Sequence, residues 1–243
     1  MEVLGLSVTQ LCIGLVAVVV GACLQGSLGF GLGLVAAPVL VLLDTRLVPG
    51  PLLCMGVPLT FLIAWRGRRE LDFSGIRWAI VGRVPGSMLG SVAVVVLAER
   101  WLAGLFAIAV LAAVGLSVVG LSALPTRRNL VVAGVVSGAM GTATSVGGPP
   151  VALLYQRSTG PELRASLAAF MVFGASFSLL ALIVVGEFDW TDLGLASLLV
   201  PGILAGFGLS RWTSEILDSG YTRPAVLLFA TASAVSILLR QVV

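Results

Sequence analysis

The sequence predicts an all-α membrane protein that crosses the bilayer several times and is built from two inverted-topology repeats. Three observations lead to this prediction: an apolar composition, charges confined to short connections, and a glycine- and proline-rich motif that occurs twice. Of the 243 residues, 58% are hydrophobic and only 10% are charged, and the mean hydropathy is +1.12. Soluble domains carry about 25% charged residues, so this composition indicates a polytopic protein embedded in a lipid bilayer.

The charged residues divide the chain into apolar runs, and a spanning helix needs roughly 20 apolar residues. In chain order, the uncharged runs are 3–43, 47–65, 84–98, 101–126, 129–156, 165–186, 193–210 and 224–239. We expect about six full spans plus two re-entrant or broken helical hairpins. If the first leg of run 3–43 crosses fully, the count becomes eight spans.

Two stretches of the first half recur in the second half. The segment "GSLGFGLGLVAAP" at 26–38 aligns without gaps with "GAMGTATSVGGPP" at 138–150. Further along, "ELDFSGIRWAIVGRVPGSMLG" at 70–90 resembles "EFDWTDLGLASLLVPGILAG" at 187–206. Because both matches occur in the same order, we interpret the chain as a duplication within one membrane domain. The first transmembrane repeat covers 1–124 and the second covers 125–243, each with one glycine-rich hairpin and three spanning helices.

The charges of equivalent loops orient the two repeats. The loop "WRGRRELDFSGIR" at 65–77 contains four arginines, whereas its counterpart "GEFDWTD" at 186–192 has three acidic residues and no arginine. An excess of arginine marks the cytoplasmic side, so the two loops are expected on opposite sides. The repeats are then related by a pseudo-two-fold axis in the membrane plane, as in many secondary transporters. Both termini are predicted to lie outside.

The glycine-rich segments interrupt runs that would otherwise be helices. Run 129–156 begins and ends in the cytoplasm on this assignment, and its 28 residues are too few to cross twice. We therefore expect a re-entrant hairpin that turns near "TATSVGGPP", and a corresponding turn at "QGSLGFG" that enters from outside. Non-helical backbone survives at membrane depth only where protein or a watery cavity surrounds it. The helix that follows each turn presents its positive dipole end, which favours an anion.

The residues at the two turns are therefore the candidate substrate-binding residues, and Arg83 joins them as a charge inside a predicted span. Polar side chains at the turns could donate hydrogen bonds to ligand oxygens, although serine and threonine in membrane helices often bond only to their own backbone. The glycines of 82–90 and 202–206, at a spacing of four residues, are expected to serve helix packing instead. The candidate set is Gln25, Gly26, Ser27, Gly29, Phe30, Gly31, Arg83, Gly141, Thr142, Thr144, Ser145, Gly147 and Gly148.

Two interpretations of Arg83 stay open at the sequence level. A charge within a membrane segment marks a functional site by default. Alternatively, Arg83 lies only six residues beyond Arg77, and a long side chain can snorkel to the surface from there. No Asp, Glu or His lies inside any uncharged run, so a proton relay on a buried side chain is not expected.

The remaining composition argues against several functional classes. All 14 basic residues are arginines, and they form no extended basic face, so nucleic acid is not an expected partner. Three scattered cysteines without any histidine make a metal or haem site improbable, and no cofactor is predicted. An enzyme would need a nucleophile–base pair or a metal cluster, so none is expected.

The motifs carry a resemblance to a known family over essentially the whole chain. The glycine-rich first turn followed by "LVAAPVL", the segment "GTATSVGGPPVALLY", the loop "GEFDW" and the "VPG…AG" helices resemble the sulfite exporter TauE/SafE family. This resemblance implies a plasma-membrane transporter of a bacterium or archaeon for small sulfur-containing anions, such as sulfite or the organosulfonate sulfoacetate. An anion channel on the same turns is the alternative function, and a homodimer is left open.

Overall fold

A computed structural model describes residues 2–98, 124–155 and 158–217, together with scattered positions between 101 and 115. Most of the predicted span in 101–126, the predicted span 224–239 and the C-terminus lie outside the described residues. The described residues form eight α-helices and a short antiparallel pairing of Glu2–Val3 with Leu6–Ser7. The helices are α1 Val8–Leu28, α2 Leu32–Leu43, α3 Gly50–Arg66, α4 Phe73–Val96, α5 Arg127–Thr144, α6 Pro149–Ala152, α7 Gly160–Val185 and α8 Trp190–Leu217, with 3-10 turns at Thr45–Leu47 and Leu153–Tyr155.

Five segments among the described residues are long and apolar enough to cross a membrane. They are Val8–Leu28, Thr45–Arg66, Phe73–Val96, Gly160–Val185 and Trp190–Ser214. Large apolar side chains on these helices point outward: Val184 is 85% exposed and Trp212 is 74% exposed. Such a surface is suited to lipid rather than water. The protein is therefore an all-helical, multi-pass membrane protein, as the composition predicts.

Local sequence signals set the beginnings of the long helices. The Ser7 hydroxyl accepts a hydrogen bond from the Gln10 amide at 3.2 Å, and the Gln10 side chain accepts one from the Ser7 amide at 2.9 Å. This reciprocal capping box satisfies two otherwise unbonded amides at the start of α1. Asp72, Thr126 and Thr159 cap α4, α5 and α7, each side chain accepting a hydrogen bond from the amide three residues on.

The charges gather at the two ends of the helix bundle. Arg77 and Arg127 line one groove and Arg66 and Arg164 line another, and we call this side of the bundle the arginine-rich end. The opposite, acidic end holds Glu187, Asp189 and Asp192 around one groove, with the ion pair between Arg46 and Asp44 at 2.6 Å beside it. This separation is the one that the loop charges predict.

Buried apolar side chains form two main clusters. The first joins α1, α2 and α3 with α8, and includes Leu40, Leu59 and Leu199. The second joins α4 with α5, α6 and α7, and includes Ile76 and Phe170. Each cluster therefore combines helices of one half of the chain with one helix of the other half, α8 in the first cluster and α4 in the second. The two most extensive helix contacts are those of α4 with α5 and of α8 with α1.

Glycines allow these two helix pairs to approach closely, as the sequence predicts. A Cβ added at Gly86 would lie 2.9 Å from the Gly138 Cα on α5, and one at Gly90 would lie 2.7 Å from the Thr142 Cβ. On the other pair, a Cβ at Gly206 would lie 2.7 Å from the Ala22 Cβ. Contacts below 3.0 Å leave no room for a methyl group. The packing role expected for these glycines is confirmed.

Two glycines of α8 give a direct test of this packing. We expect Gly206→Ala to lower the free energy of unfolding by about 1–3 kcal/mol, since the added methyl overpacks the contact with α1. Gly208→Ala is the matched control, because a Cβ there meets nothing within 4 Å. Thermal melting in detergent measures both variants. Equal melting temperatures for the two would contradict the close contact between α1 and α8.

Candidate functional site

Two breaks in the helices lie side by side. Helix α1 ends at Leu28, Gly29 adopts a left-handed conformation with φ 88°, and α2 begins at Leu32. Helix α5 ends at Thr144, Ser145 is left-handed with φ 60°, and α6 begins at Pro149. A Cβ added at Gly148 would lie 3.2 Å from the Phe30 Cβ, and one at Gly33 would collide with the Ser145 carbonyl. Both breaks occur in the segments that the sequence predicts to turn.

Each broken segment returns to the end of the bundle from which it starts. The Gln10 side chain near the start of α1 donates to the Leu43 carbonyl at the end of α2, at 3.0 Å. In the second half, Tyr155 lines the groove that also holds Arg127, where α5 begins. The first hairpin therefore opens at the acidic end and the second at the arginine-rich end. With 21 residues, α1 is long enough to cross fully.

Arg83 projects from α4 into the protein and is only 3% exposed. Its Nη1 donates to the Ser137 carbonyl at 2.7 Å and to the Ser137 hydroxyl at 2.6 Å, and its Nη2 lies 3.4 Å from the Ser178 hydroxyl. The guanidinium carbon lies 5.4 Å from the centre of the Phe170 ring. A snorkelling side chain would hold its charge in water. Arg83 instead holds its charge inside the protein, so it does not adopt the snorkelling arrangement.

Glycines on three sides make room for the guanidinium. A Cβ added at Gly141 would lie 2.6 Å from Nη2, and one at Gly174 would lie 2.6 Å from Nε. Gly147 is equally close to Nη1. Any larger residue at these positions would displace the guanidinium, so glycine at these positions leaves the space that the guanidinium fills.

The buried charge has no anionic partner in the part of the chain that the structure describes. No carboxylate of residues 2–98, 124–155 or 158–217 pairs with Arg83, and its Nε has no hydrogen-bond partner there. An unpaired ion in the protein interior costs on the order of several kcal/mol even after relaxation. The arrangement therefore leaves both a positive charge and a donor unsatisfied.

A small cavity of about 60 Å³ lies between the two helix breaks and Arg83. It has room for only a few water-sized groups. Eight of the sequence-predicted residues line it: Gln25, Phe30, Gly31, Arg83, Gly141, Ser145, Gly147 and Gly148. No group of three Cys, Asp or Glu side chains that could hold a metal occurs among the described residues.

The start of α2 forms one wall of the cavity. Leu32, Gly33 and Leu34 all line it, and first-turn amides have no acceptor within their own helix. The Gln25 side chain takes up one of them, since its Oε1 accepts from the Leu32 amide at 3.0 Å. Its Nε2 reaches only the Met171 sulfur, at 3.7 Å. The wall therefore combines a positive helix end with an amide donor that has only a weak acceptor.

Three predicted residues of the first turn lie away from the cavity, at the arginine-rich end. The Gly26 carbonyl accepts from Arg66 at 2.9 Å, and the Ser27 hydroxyl donates to the Cys23 carbonyl at 2.9 Å. Gly29 packs against the backbone of Arg164. Helix α1 extends past the cavity before it breaks, and this extra length carries the three residues beyond the lining.

Two predicted threonines lie in the last turn of α5 rather than in the lining. Thr144 donates to the Met140 carbonyl at 2.7 Å, its own helix backbone. Thr142 shares a hydrogen bond with Ser178 at 2.7 Å, and Ser178 also contacts Arg83. Thr142 can therefore influence the guanidinium through Ser178, whereas Thr144 completes the end of the helix.

Sequence reasoning missed the serines and glycine that hold Arg83. Ser137, Gly174 and Ser178 were not among the predicted residues. A signal exists in "FGASFS" at 173–178, because small and polar residues in an apolar helix face its helical neighbours rather than lipid. Further lining residues come from α3, α7 and the ends of the breaks: Leu52, Leu53, Gly56, Thr60, Val146, Pro149, Met171 and Ala175.

Comparison with known proteins identifies the family. The family model described as Sulfite exporter TauE/SafE matches residues 13–237, which is nearly the whole chain. Neither the curated proteins nor the solved structures gave a match. The matched range includes both helix breaks, Arg83 and the glycine contacts between α1 and α8. The chain therefore belongs to the sulfite exporter TauE/SafE family, a family of membrane transporters for sulfur-containing anions.

Proposed function

We propose that this protein is a secondary transporter that carries a small oxyanion across the plasma membrane of a bacterium or archaeon by alternating access. The substrate is sulfite or an organosulfonate such as sulfoacetate, and it binds in the cavity between the two helix breaks. The observation that carries the proposal is the buried Arg83, whose charge has no carboxylate partner among the described residues. A bound anion supplies that partner.

The chemistry of the cavity suits a small oxyanion. Hydrogen bonds from charged donors to oxygen anions are shorter and about twice as strong as those between neutral groups. Arg83, Gln25 and the first residues of α2 line a cavity of about 60 Å³. Several donors around one small space match the three oxygens of sulfite or of a sulfonate head group. A cavity this small favours a carrier over a continuous anion channel.

The helix exchange supports the inverted repeat of 1–124 and 125–243. The two "VPG" helices, α4 and α8, each pack along the broken helix of the other half, α4 along α5 and α8 along α1. Repeats related by a two-fold axis in the membrane exchange elements in this reciprocal way. We infer that the moving bodies are the two hydrophobic clusters, which rock against each other about the paired breaks. The arginine-rich end is cytoplasmic, and the N-terminus lies outside.

Replacement of Arg83 tests the proposed site. We expect Arg83→Met to weaken sulfite binding roughly 10- to 100-fold, since a hydrogen bond to a charged group contributes about 1.5–3 kcal/mol. The melting temperature of the ligand-free protein should not fall. Ser137 and Ser178 keep other partners, the Gly147 carbonyl and Thr142, and an unpaired buried charge is removed. Equilibrium binding and thermal melting of the purified protein measure both effects.

Arg68→Gln is the matched control for this experiment. Arg68 is exposed at the arginine-rich end, donates to the Trp65 carbonyl at 3.1 Å and lies away from the cavity. The Arg68→Gln substitution removes one positive charge without changing the site, so sulfite binding should stay within about twofold of that of the natural protein. If Arg83→Met melts early but binds sulfite normally, Arg83 is a structural residue and the site lies elsewhere.

The orientation of the repeats is tested by cysteine labelling. In a protein free of its natural cysteines, Ser74→Cys should react with a membrane-impermeant reagent only from the cytoplasmic side, and Thr191→Cys only from outside. Both positions are exposed, one at each end of the bundle. Labelling of intact and permeabilised cells separates the two sides. Reaction of both cysteines from the same side would end the inverted-repeat interpretation.

A further inference from the structure

A groove at the arginine-rich end contains three guanidinium groups from three different helices. Arg66 ends α3, Arg164 lies in the first turns of α7, and Arg211 lies near the end of α8. The groove has a volume of about 450 Å³ and is bordered by Gly26 near the end of α1. It is separate from the cavity at Arg83, since none of the three arginines lines that cavity.

Two of the three arginines have a structural role that the contacts explain. The Arg66 Nη2 donates to the Gly26 carbonyl at 2.9 Å, and the Arg164 Nη1 donates to the Ser27 carbonyl at 3.1 Å. Both carbonyls belong to the last turn of α1, where cations stabilise a helix. The Arg66 guanidinium also lies 4.6 Å from the centre of the Phe207 ring. These contacts hold two positive charges in fixed positions at the groove.

The third arginine has no such role. Arg211 is exposed, and no hydrogen bond or ion pair joins its guanidinium to another described residue. Its charge repels Arg66, and Glu70 is the one carboxylate among the described residues that line the groove. The formal charges of Arg66, Arg164, Arg211 and Glu70 sum to +2. Helix capping accounts for Arg66 and Arg164, but it does not account for a third cation placed beside them.

The groove and the Arg83 cavity share a wall. Gly26 lines the groove, whereas Gln25, Phe30 and Gly31 line the cavity. Gly29 between them packs against Arg164. The break after α1 therefore lies between the groove and the cavity.

We propose that the groove formed by Arg66, Arg164 and Arg211 is a second anion-binding site, which receives an oxyanion group from the cytoplasmic side before it reaches the cavity. This inference rests on the proposed function only for the passage to the cavity. The ligand chemistry is an oxyanion with several exposed oxygens, either the dissolved substrate or the phosphate of a lipid headgroup. Open access makes this site weaker and more sensitive to salt than the cavity, because exposed charges are screened.

The experiment measures sulfite binding to the full chain in a neutral detergent, at low and at physiological ionic strength. We expect two sites per chain, of which only the weaker is lost at higher salt. Arg211→Gln should weaken that site about fivefold or more, as expected for loss of one nearby charge in a watery site, and leave the tighter site unchanged. Arg211 caps no helix, so folding should be kept, and unchanged melting checks this. Arg68→Gln, an exposed arginine outside the groove, is the matched control.

A second arm identifies the source of the oxyanion. The same measurement is made in phosphatidylcholine vesicles with and without phosphatidylglycerol. If the weaker sulfite site is lost only when phosphatidylglycerol is present, and Arg211→Gln has no further effect there, the groove is assigned to a lipid phosphate. Persistence of the weaker site in both vesicles assigns it to the dissolved anion.

Two results separate failure of this inference from failure of the proposed function. A single sulfite site that Arg83→Met removes and Arg211→Gln leaves intact overturns the second site, while the proposed transport function stands. If sulfite shows no binding that depends on Arg83, the proposed function fails. In that case sulfate is used as the probe of the groove, and an equal response of the natural protein and Arg211→Gln overturns the second site independently.

Discussion

The candidate site is arranged around one buried positive charge. Arg83 lies inside a membrane-spanning helix, and a charge there is stable only when its surroundings accommodate it. Ser137 provides two oxygens, while Gly141 and Gly174 leave the space that the guanidinium fills. These partners are neutral. They satisfy part of the hydrogen-bonding capacity of the guanidinium, but they do not balance its charge. In the proposed function, an anion that enters the cavity completes the arrangement, so that ligand binding and local stability become two aspects of one interaction.

The two helix breaks follow from the same constraint. Backbone without helical hydrogen bonds must be buried by protein or hydrated in a cavity at membrane depth, and here the two breaks pack against each other, with Gly33 against the Ser145 carbonyl and Gly148 against Phe30. The Ser145 hydroxyl donates to the Pro49 carbonyl at 3.3 Å, and Gln25 caps the start of α2. The breaks do not contribute equally. Pro149 and Pro150 at the start of α6 have no amide hydrogens, so backbone donors come from α2, whereas the second break supplies room for Arg83.

Much of this arrangement can be predicted from the sequence where local chemistry decides it. Glycine locates both breaks, with proline also at the second, and Ser7, Thr126 and Thr159 mark helix starts, because turns and caps depend on a few neighbouring residues. The direction of a side chain depends on where its helix ends and what it packs against. The gapless alignment pairs Leu28 with Met140, yet α5 continues to Thr144, one turn further. The two breaks therefore do not fall at equivalent positions of the alignment, and the serines around Arg83 become visible only when α4, α5 and α7 are brought together.

The central claim is that an anion occupies the cavity and pairs with Arg83. Selenite has the shape and charge of sulfite, and its selenium scatters anomalously, so a crystal of the protein grown with selenite would locate the ligand directly. The account predicts an anomalous peak between the Arg83 guanidinium and the start of α2, at hydrogen-bonding distance through the selenite oxygens, and no such peak in Arg83→Met. A cavity without selenium in the natural protein, with the anion bound only in another part of the molecule, would contradict it.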